Sequence, residues 1–229
     1  MRAEEVEHGH LARPDTDPNP GVVMIHDVWG LSDHTRDLAG RLAAEGFAVL
    51  AVDLYRREGA VEIRDPGAWI RALPDRQVLD DVRAAAGFLR AGPSRGHRVG
   101  VTGFCMGGMY ALLAACDGGD LAAAVPFYGM LCYRRELLCG KAGRDPLEAA
   151  PGLSCPLLAF FGADDPFIPQ ADVEALRRRL PARPPAELVV VPGAGHAFMN
   201  DTRPEAYRPQ AARDAWARLA AFLAEHLAR

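Results

Sequence analysis

The chain has 229 residues, of which 49% are hydrophobic and 24% charged, a composition that excludes a largely disordered protein. Its formal net charge of -4 provides no basic surface for phosphate groups, so we expect no nucleic-acid partner. No apolar run approaches the ~20 residues of a membrane span, and the first residues lack the apolar segment of a secretory signal, so we expect no membrane partner.

Short apolar runs alternate with amphipathic runs along the whole chain. The predicted strands are 21–26, 47–55, 98–104, 121–129, 156–162 and 186–193. The predicted helices are 35–45, 80–90, 109–116, 170–180 and 209–228. This order predicts an α/β fold with one domain over residues 1–229, in which helices cover both faces of a mostly parallel central sheet.

Two stretches, 56–74 and 129–152, show no regular pattern. Loops of this length in a compact domain are often functional. In an open α/β sheet, ligands bind beyond the carboxyl ends of the strands. The residues that directly follow each predicted strand are therefore where we expect the site.

The third predicted strand leads into GFCMGG (103–108). The pattern Gly-x-Cys-x-Gly-Gly between a strand and a helix is typical of a nucleophile elbow, with Cys105 as the nucleophile. The positive end of the following helix favours a thiolate there, and the N–H of Met106 points at the same place as an oxyanion donor. The alternative, that Cys105 is a small apolar core residue, fits a lone cysteine better than one in this context.

Two further candidates follow later strands. Asp164 and Asp165 come after the fifth predicted strand, where a carboxylate would orient a base; the adjacent pair leaves the choice open, with Asp165 preferred, and plain turn chemistry is the alternative. His196 follows the sixth strand in GAGHAF and is the candidate general base. The order nucleophile, acid, base is that of the α/β-hydrolase fold.

The first predicted strand ends in HDVWG (26–30). This loop normally supplies the second oxyanion donor, here the N–H of Val28. We expect Asp27 near Cys105, where a carboxylate disfavours a thiolate and keeps a neutral thiol in the resting enzyme. Alternatively, Asp27 only satisfies backbone groups of the turn. Trp29 is a candidate for substrate contact.

The five cysteines are odd in number and form no Cys-x-x-Cys pair. This pattern argues against a disulfide framework and against a zinc knuckle. We expect free thiols in a reducing cytoplasm, and no metal or organic cofactor.

These motifs resemble those of the dienelactone hydrolase family of α/β-hydrolases. The matching segments run from about residue 21 to the last helix and are HDVWG, DLY, GFCMGG, GADDPFIP and GAGHAF. The resemblance implies the α/β-hydrolase fold and a triad of Cys105, His196 and Asp165. It favours Asp165 over Asp164, because the family's acid stands four residues before a proline, here Pro169.

The chain departs from well-studied members at two positions. Asp27 replaces a glutamate that in those members contacts the resting thiol and releases it when substrate arrives. Asn200 replaces an arginine that in those members grips the substrate carboxylate. Candidates for that missing role are Arg64, Arg71 and Arg203.

We therefore expect a hydrolase that cleaves a dienelactone-type ester or lactone through a thioester on Cys105. By the same resemblance, Tyr128 lines the substrate pocket. One alternative is a broad carboxylesterase or thioesterase with the same triad. The other is a non-catalytic binding or redox-sensing protein. Against redox sensing, Cys116 lies about three turns along the same helix, too far from Cys105 to serve as its resolving cysteine. We expect a monomer whose partner is a small-molecule ester or lactone.

Overall fold

The structure, a computed structural model, describes residues 1–59 and 62–228. Residues 60 and 61, within the predicted irregular stretch 56–74, lie outside the described residues. The strands are β1 (Arg2–Val6), β2 (Gly9–Arg13), β3 (Gly21–Ile25), β4 (Ala48–Val52), β5 (Val99–Phe104), β6 (Ala124–Phe127), β7 (Leu157–Gly162) and β8 (Ala186–Val191). The helices are α1 (Asp33–Ala44), α2 (Pro66–Ala72), α3 (Asp75–Ala91), α4 (Met106–Ala115), α5 (Pro146–Ala149), α6 (Gln170–Arg179) and α7 (Pro209–Leu227).

The eight strands form one sheet in the order β1-β2-β4-β3-β5-β6-β7-β8. The pairs from β4 to β8 are parallel, whereas β1–β2 and β2–β4 are antiparallel. The predicted mostly parallel sheet is therefore confirmed. Every residue of β3 to β7 is buried, as expected when both faces of a sheet are covered.

The alternation of side-chain direction along β5 shows which helix covers each face of the sheet. A side chain at Gly100 would meet Leu223 and Leu227 of α7, whereas one at Gly103 would meet the backbone at Gly107 in α4. Because residues an odd number apart point to opposite faces of a strand, α4 and α7 lie on opposite sides of the sheet.

The register brings the carboxyl ends of the parallel strands to one edge. Ile25 of β3 lies opposite Gly103 of β5, and Phe104 of β5 lies opposite Phe127 of β6. Phe127 in turn lies opposite Phe160 of β7. The loops that carry the predicted site residues therefore leave the sheet side by side.

The structure adds elements that the sequence pattern did not predict. The hairpin β1–β2 precedes the first predicted strand, and β1 is largely exposed, so it has no apolar run to reveal it. Within the two irregular stretches lie α2, α5 and short 3-10 turns at Glu136–Leu138 and Ala150–Gly152. The predicted helix 109–116 begins earlier, at Met106, directly after Cys105. All of its residues are buried, so hydrophobic periodicity cannot locate its start.

In the described ranges 1–59 and 62–228, none of the helices has the combined length and hydrophobicity that crossing a bilayer requires.

Candidate active site

Cys105 occupies a strained turn between β5 and α4. Its backbone has φ 55°, a left-handed conformation that non-glycine residues adopt at a cost. The turn brings α4 close to the sheet: a Cβ at Gly107 would collide with the backbone carbonyls of Ile25 and His26. The glycines of this turn therefore allow the N-terminus of α4 to lie directly behind the Cys105 side chain, as expected for a nucleophile elbow.

His196 and Asp165 meet on the loops that follow β8 and β7. The imidazole Nδ1 lies 2.8 Å from Oδ2 of Asp165, whose side chain is fully buried. The other carboxylate oxygen of Asp165 accepts a hydrogen bond of 2.9 Å from the N–H of Phe167. Asp164 is exposed, so the geometry distinguishes the two adjacent aspartates.

Burial of the imidazole by itself lowers the pKa of His196. The neighbouring Cys105 side chain and the hydrogen-bonded carboxylate of Asp165 have the opposite effect, and together they raise the pKa to about 10. The side chains of Cys105 and Asp165 therefore both favour the charged form of the His196 imidazole.

Two backbone N–H groups are available as oxyanion donors. Met106 is the first residue of α4, so its N–H has no partner within the helix. The N–H of Val28 donates no hydrogen bond within the described part of the chain. Buried Tyr55 connects both residues: its hydroxyl donates to the Val28 carbonyl at 2.9 Å and lies 3.5 Å from the sulfur of Met106.

The loop after β3 is fixed by its own side chains. Nδ1 of buried His26 contacts the Asp27 carbonyl at 2.5 Å, and Nε2 accepts a hydrogen bond of 3.2 Å from the N–H of Leu54. Burial lowers the pKa of His26, so the ring is neutral and Nδ1 donates. The Asp27 carboxylate accepts a hydrogen bond of 2.9 Å from the N–H of Trp29 and also lines the cleft. Both hypotheses for Asp27, that it satisfies backbone groups of the turn and that it modulates the Cys105 thiol, therefore fit this geometry.

Cys105 and His196 open into one narrow cleft with a volume of about 30 Å³. Several predicted residues line it: Asp27, Trp29, Tyr128, Asn200 and Arg203. A cavity of this size holds about two water molecules. Any substrate larger than its reacting carbonyl group must therefore extend out of the cleft.

Backbone strain is concentrated at the cleft. Cys105, Tyr128 and Ala197 are the non-glycine residues with positive φ among those described, and all three line it. The ring of buried Tyr128 lies 5.2 Å from the ring of His196 and 5.4 Å from the ring of Phe198, measured between centroids. Clustered strain of this kind is a feature of functional sites.

The three arginine candidates are placed very differently. The guanidinium carbon of Arg203 lies 5.6 Å above the Trp29 ring at the mouth of the cleft. Arg64 is exposed and pairs with Glu62 at 2.9 Å. Arg71 donates to the carbonyl of Leu137 at 2.7 Å. The structure therefore brings only Arg203 of the three into the cleft, because the other two are used in contacts elsewhere.

Sequence reasoning missed a second histidine in the cleft. His34, near the start of α1, lines the cleft together with Asp27 and Arg203. Its Nδ1 is buried 3.5 Å from Oδ1 of Asp201, and burial lowers the pKa of this histidine. Its place one turn after the Val28 loop is the signal that could have revealed it, since the start of α1 faces the same edge of the sheet.

All five cysteines are free thiols. Burial raises the pKa of both Cys116 and Cys155 to about 12, which makes these two thiols unreactive. Cys105 is partly exposed in the cleft at a helix N-terminus, so it has the surroundings of a reactive cysteine. No group of three or more His, Cys, Asp or Glu side chains suited to a metal ion occurs in the described ranges.

Comparison with known proteins gives a consistent result. A model of the dienelactone hydrolase family matches residues 8–227. The "Putative carboxymethylenebutenolidase" of Salmonella typhimurium is 35% identical over 230 residues, covering 95% of this chain and 82% of that protein. A "Probable 2-oxo-3-(5-oxofuran-2-ylidene)propanoate lactonase" of Bradyrhizobium is 34% identical over 224 residues, covering 95% and 89%.

Solved structures agree with these relatives. A crystal structure of a "Putative Dienelactone Hydrolase" from Klebsiella pneumoniae superimposes with a TM-score of 0.86 at 36% identity. The match covers 94% of this chain and 92% of that one.

Proposed function

Because the chain belongs to the dienelactone hydrolase family and is a hydrolase, we propose that it cleaves a carboxylic ester or lactone through a thioester on Cys105. One observation carries this proposal: the Cys105 thiol lies at a helix N-terminus in the same cleft as a histidine whose pKa is raised to about 10. Cleavage of such bonds by a free thiol also suits the reducing cytoplasm, which we propose as its location.

In the acylation step, Sγ of the Cys105 thiolate forms a bond to the substrate carbonyl carbon. The carbonyl π electrons move to the oxygen, where the N–H groups of Met106 and Val28 stabilise the negative charge. As the tetrahedral intermediate collapses, the bond from carbon to the leaving oxygen breaks and Nε2 of His196 gives its proton to that oxygen. The product is a thioester and an alcohol, which in a lactone remain parts of one molecule.

In the deacylation step, water supplies the nucleophile. Neutral His196 takes a proton from water while the water oxygen bonds to the thioester carbon. The C–S bond then breaks, Cys105 leaves as thiolate, and the carboxylic acid departs. Asp165, hydrogen-bonded to Nδ1, keeps the imidazole in the correct orientation and tautomer throughout.

The decisive experiment compares p-nitrophenyl acetate hydrolysis by the wild type, Cys105→Ala and Cys139→Ala. Cys139 is an exposed thiol outside the cleft, so its variant controls for general thiol chemistry. We expect full activity in that control and a loss of at least about 10⁴-fold in Cys105→Ala. Full activity in Cys105→Ala would contradict the proposal. A single acetylation of Cys105 without turnover would favour a binding or redox-sensing protein instead.

We further propose that Arg203 binds a substrate carboxylate. The Bradyrhizobium relative is named for a lactone with a propanoate group. In this chain Arg203 forms no ion pair among the described residues, and it lines the cleft. A guanidinium group can hold a carboxylate with two parallel hydrogen bonds.

A test of Arg203 uses a carboxylated dienelactone and the methyl ester of the same compound. Arg203→Ala should raise KM for the carboxylate about 10- to 100-fold, the cost of a lost charged hydrogen bond, and change little for the methyl ester. Arg203→Lys should recover part of the loss. Exposed Arg64→Ala is the matched control. Equal effects of Arg203→Ala on the two substrates would instead support a broad carboxylesterase.

A further inference from the structure

A second, much larger depression lies beside the catalytic cleft. It has a volume of about 640 Å³ and its lining includes Met130, Cys132, Leu138, Pro166, Phe167 and Pro169. We name it the Phe167 groove. Its volume is within the usual range of small-molecule sites, whereas the catalytic cleft has only about 30 Å³.

Phe167 joins the groove to the catalytic residues. Its ring packs edge-on against the His196 ring at 5.1 Å between centroids, and its N–H is bonded to Asp165. Apart from Met1, the large apolar side chains that remain exposed in the described ranges are Trp29 and Phe167. Trp29 lines the catalytic cleft and Phe167 contacts the His196 ring, so both exposed aromatic side chains lie beside catalytic residues.

The charges of the groove are already paired. Arg135 contacts both carboxylate oxygens of Asp172, at 2.9 and 2.5 Å. Arg134 pairs with Glu148 at 3.2 Å. The rest of the named lining is apolar, so the groove favours a neutral, apolar ligand.

The chemistry decides which part of a substrate reaches this groove. His196 must give its proton to the leaving oxygen, so the leaving alcohol has to lie against the His196 ring. The catalytic cleft is too small to hold that alcohol, and Phe167 is the exposed apolar surface that adjoins the ring. An alcohol portion that leaves the cleft on the Phe167 side of His196 would reach the groove across this ring.

We propose that the Phe167 groove binds the apolar alcohol portion of a neutral ester, and that Phe167 determines specificity for it. This inference rests on the proposed function and adds a substrate class to it. It also separates neutral esters, which use the groove, from carboxylated lactones, which use Arg203.

The test measures kcat/KM for two series of esters. In one series the acid is always acetate and the alcohol lengthens from methanol to hexanol; in the other the alcohol is always p-nitrophenol and the acid lengthens. For the wild type we expect kcat/KM in the alcohol series to rise about two- to fourfold for each methylene buried. Phe167→Ala and the groove-filling Cys132→Phe should flatten that rise. Neither variant should change the dependence on acid length.

Leu79→Phe supplies the matched control, since it adds the same ring to a different depression between α3 and α4. It should keep the wild-type slope. An unchanged slope in both groove variants, with circular dichroism showing that they are folded, would overturn the proposal. So would a flattening of the acid series alone.

A binding experiment keeps this inference separate from the proposed function. In the Cys105→Ala protein, hexyl acetate should bind more tightly than methyl acetate by calorimetry, and adding Cys132→Phe should remove the difference. If wild-type protein hydrolyses no ester but this binding difference persists, the result contradicts the proposed function and supports apolar binding in the groove. If esters are hydrolysed but the difference is absent, the result contradicts only the proposal for the groove.

Discussion

At the scale of single residues, the chemistry depends on where one proton resides. The ring of His196 is 14% exposed, and such burial opposes a charge. Even so, its pKa is raised to about 10, because the influence of Cys105 and Asp165 exceeds the effect of burial. The charge state of the His196 imidazole therefore depends on Cys105, and removing the thiol must change the pKa of the histidine.

We expect Cys105→Ala to lower the pKa of His196, since the charge of Cys105 is the largest influence that raises it. In the wild type, the stability contributed by charged His196 is complete below its ordinary pKa of 6.5 and is lost as pH rises through about 10. In the variant the loss should begin at lower pH. Histidine NMR titration and urea unfolding across this pH range would measure both effects.

His26 provides an internal control in the same spectra, because burial already lowers its pKa independently of Cys105. Its titration should be identical in the two proteins. A His196 resonance that titrates at the same pH with and without the thiol would contradict the influence of Cys105 on this histidine.

Single residues also show how far the sequence could predict the site. Cys105, Asp165 and His196 each follow a strand, so the sheet edge was enough to bring them together. His34 and the different positions of Arg203 and Arg71 were not predictable, because they depend on how helices and loops turn after leaving the sheet. The role of Lys141, the one lysine of the chain, was equally hidden: it is buried and pairs with Asp75 at 3.0 Å.

At the scale of elements, the approach of α4 to the sheet sets the geometry of the elbow. Gly107 is in the first turn of α4, where a Cβ would collide with carbonyl oxygens of β3 and the following loop. Backbone atoms cannot yield as a flexible side chain can. The helix would therefore have to move, and with it the N–H of Met106.

We expect Gly107→Ala to destabilise the protein by about 1–3 kcal/mol, as is usual for overpacking. We also expect kcat to fall toward the ~10²–10³-fold loss that follows removal of an oxyanion donor. Gly87→Ala is the matched control, because Gly87 lies in α3 with open space around its Cβ position. That variant should gain about 0.5–1 kcal/mol from helix propensity. Chemical denaturation and ester kinetics would check both, and equal stability of the two variants would refute the packing argument.

Elements were predictable wherever burial leaves a pattern. The parallel strands are continuous apolar runs, so the sequence placed them within a few residues. The start of α4 and the whole of β1 were missed for opposite reasons. The former is buried on every side and the latter is largely exposed, so neither alternates between apolar and polar residues.

At the scale of the whole molecule, the missed hairpin closes one edge of the sheet. β2 pairs with β4 over the register Gly9–Ala12, and its Leu11 and Ala12 are fully packed. Without it, β4 would present unpaired backbone groups on a strand whose residues are all apolar. Such an edge is a site of aggregation.

We therefore expect a variant without residues 2–13 to unfold at lower temperature and to aggregate, since burial of a side chain such as Leu11 alone contributes about 1.5–3 kcal/mol. A variant without residues 2–6 removes only β1, which is largely exposed and held partly by surface ion pairs that contribute little. It should stay close to wild type in melting temperature and light scattering. Equal behaviour of the two truncations would mean that the pairing of β2 with β4 does not protect this edge. Because Cys105, Asp165 and His196 all follow strands from β5 onward, the folded fraction of either variant should keep the proposed esterase activity of the wild type.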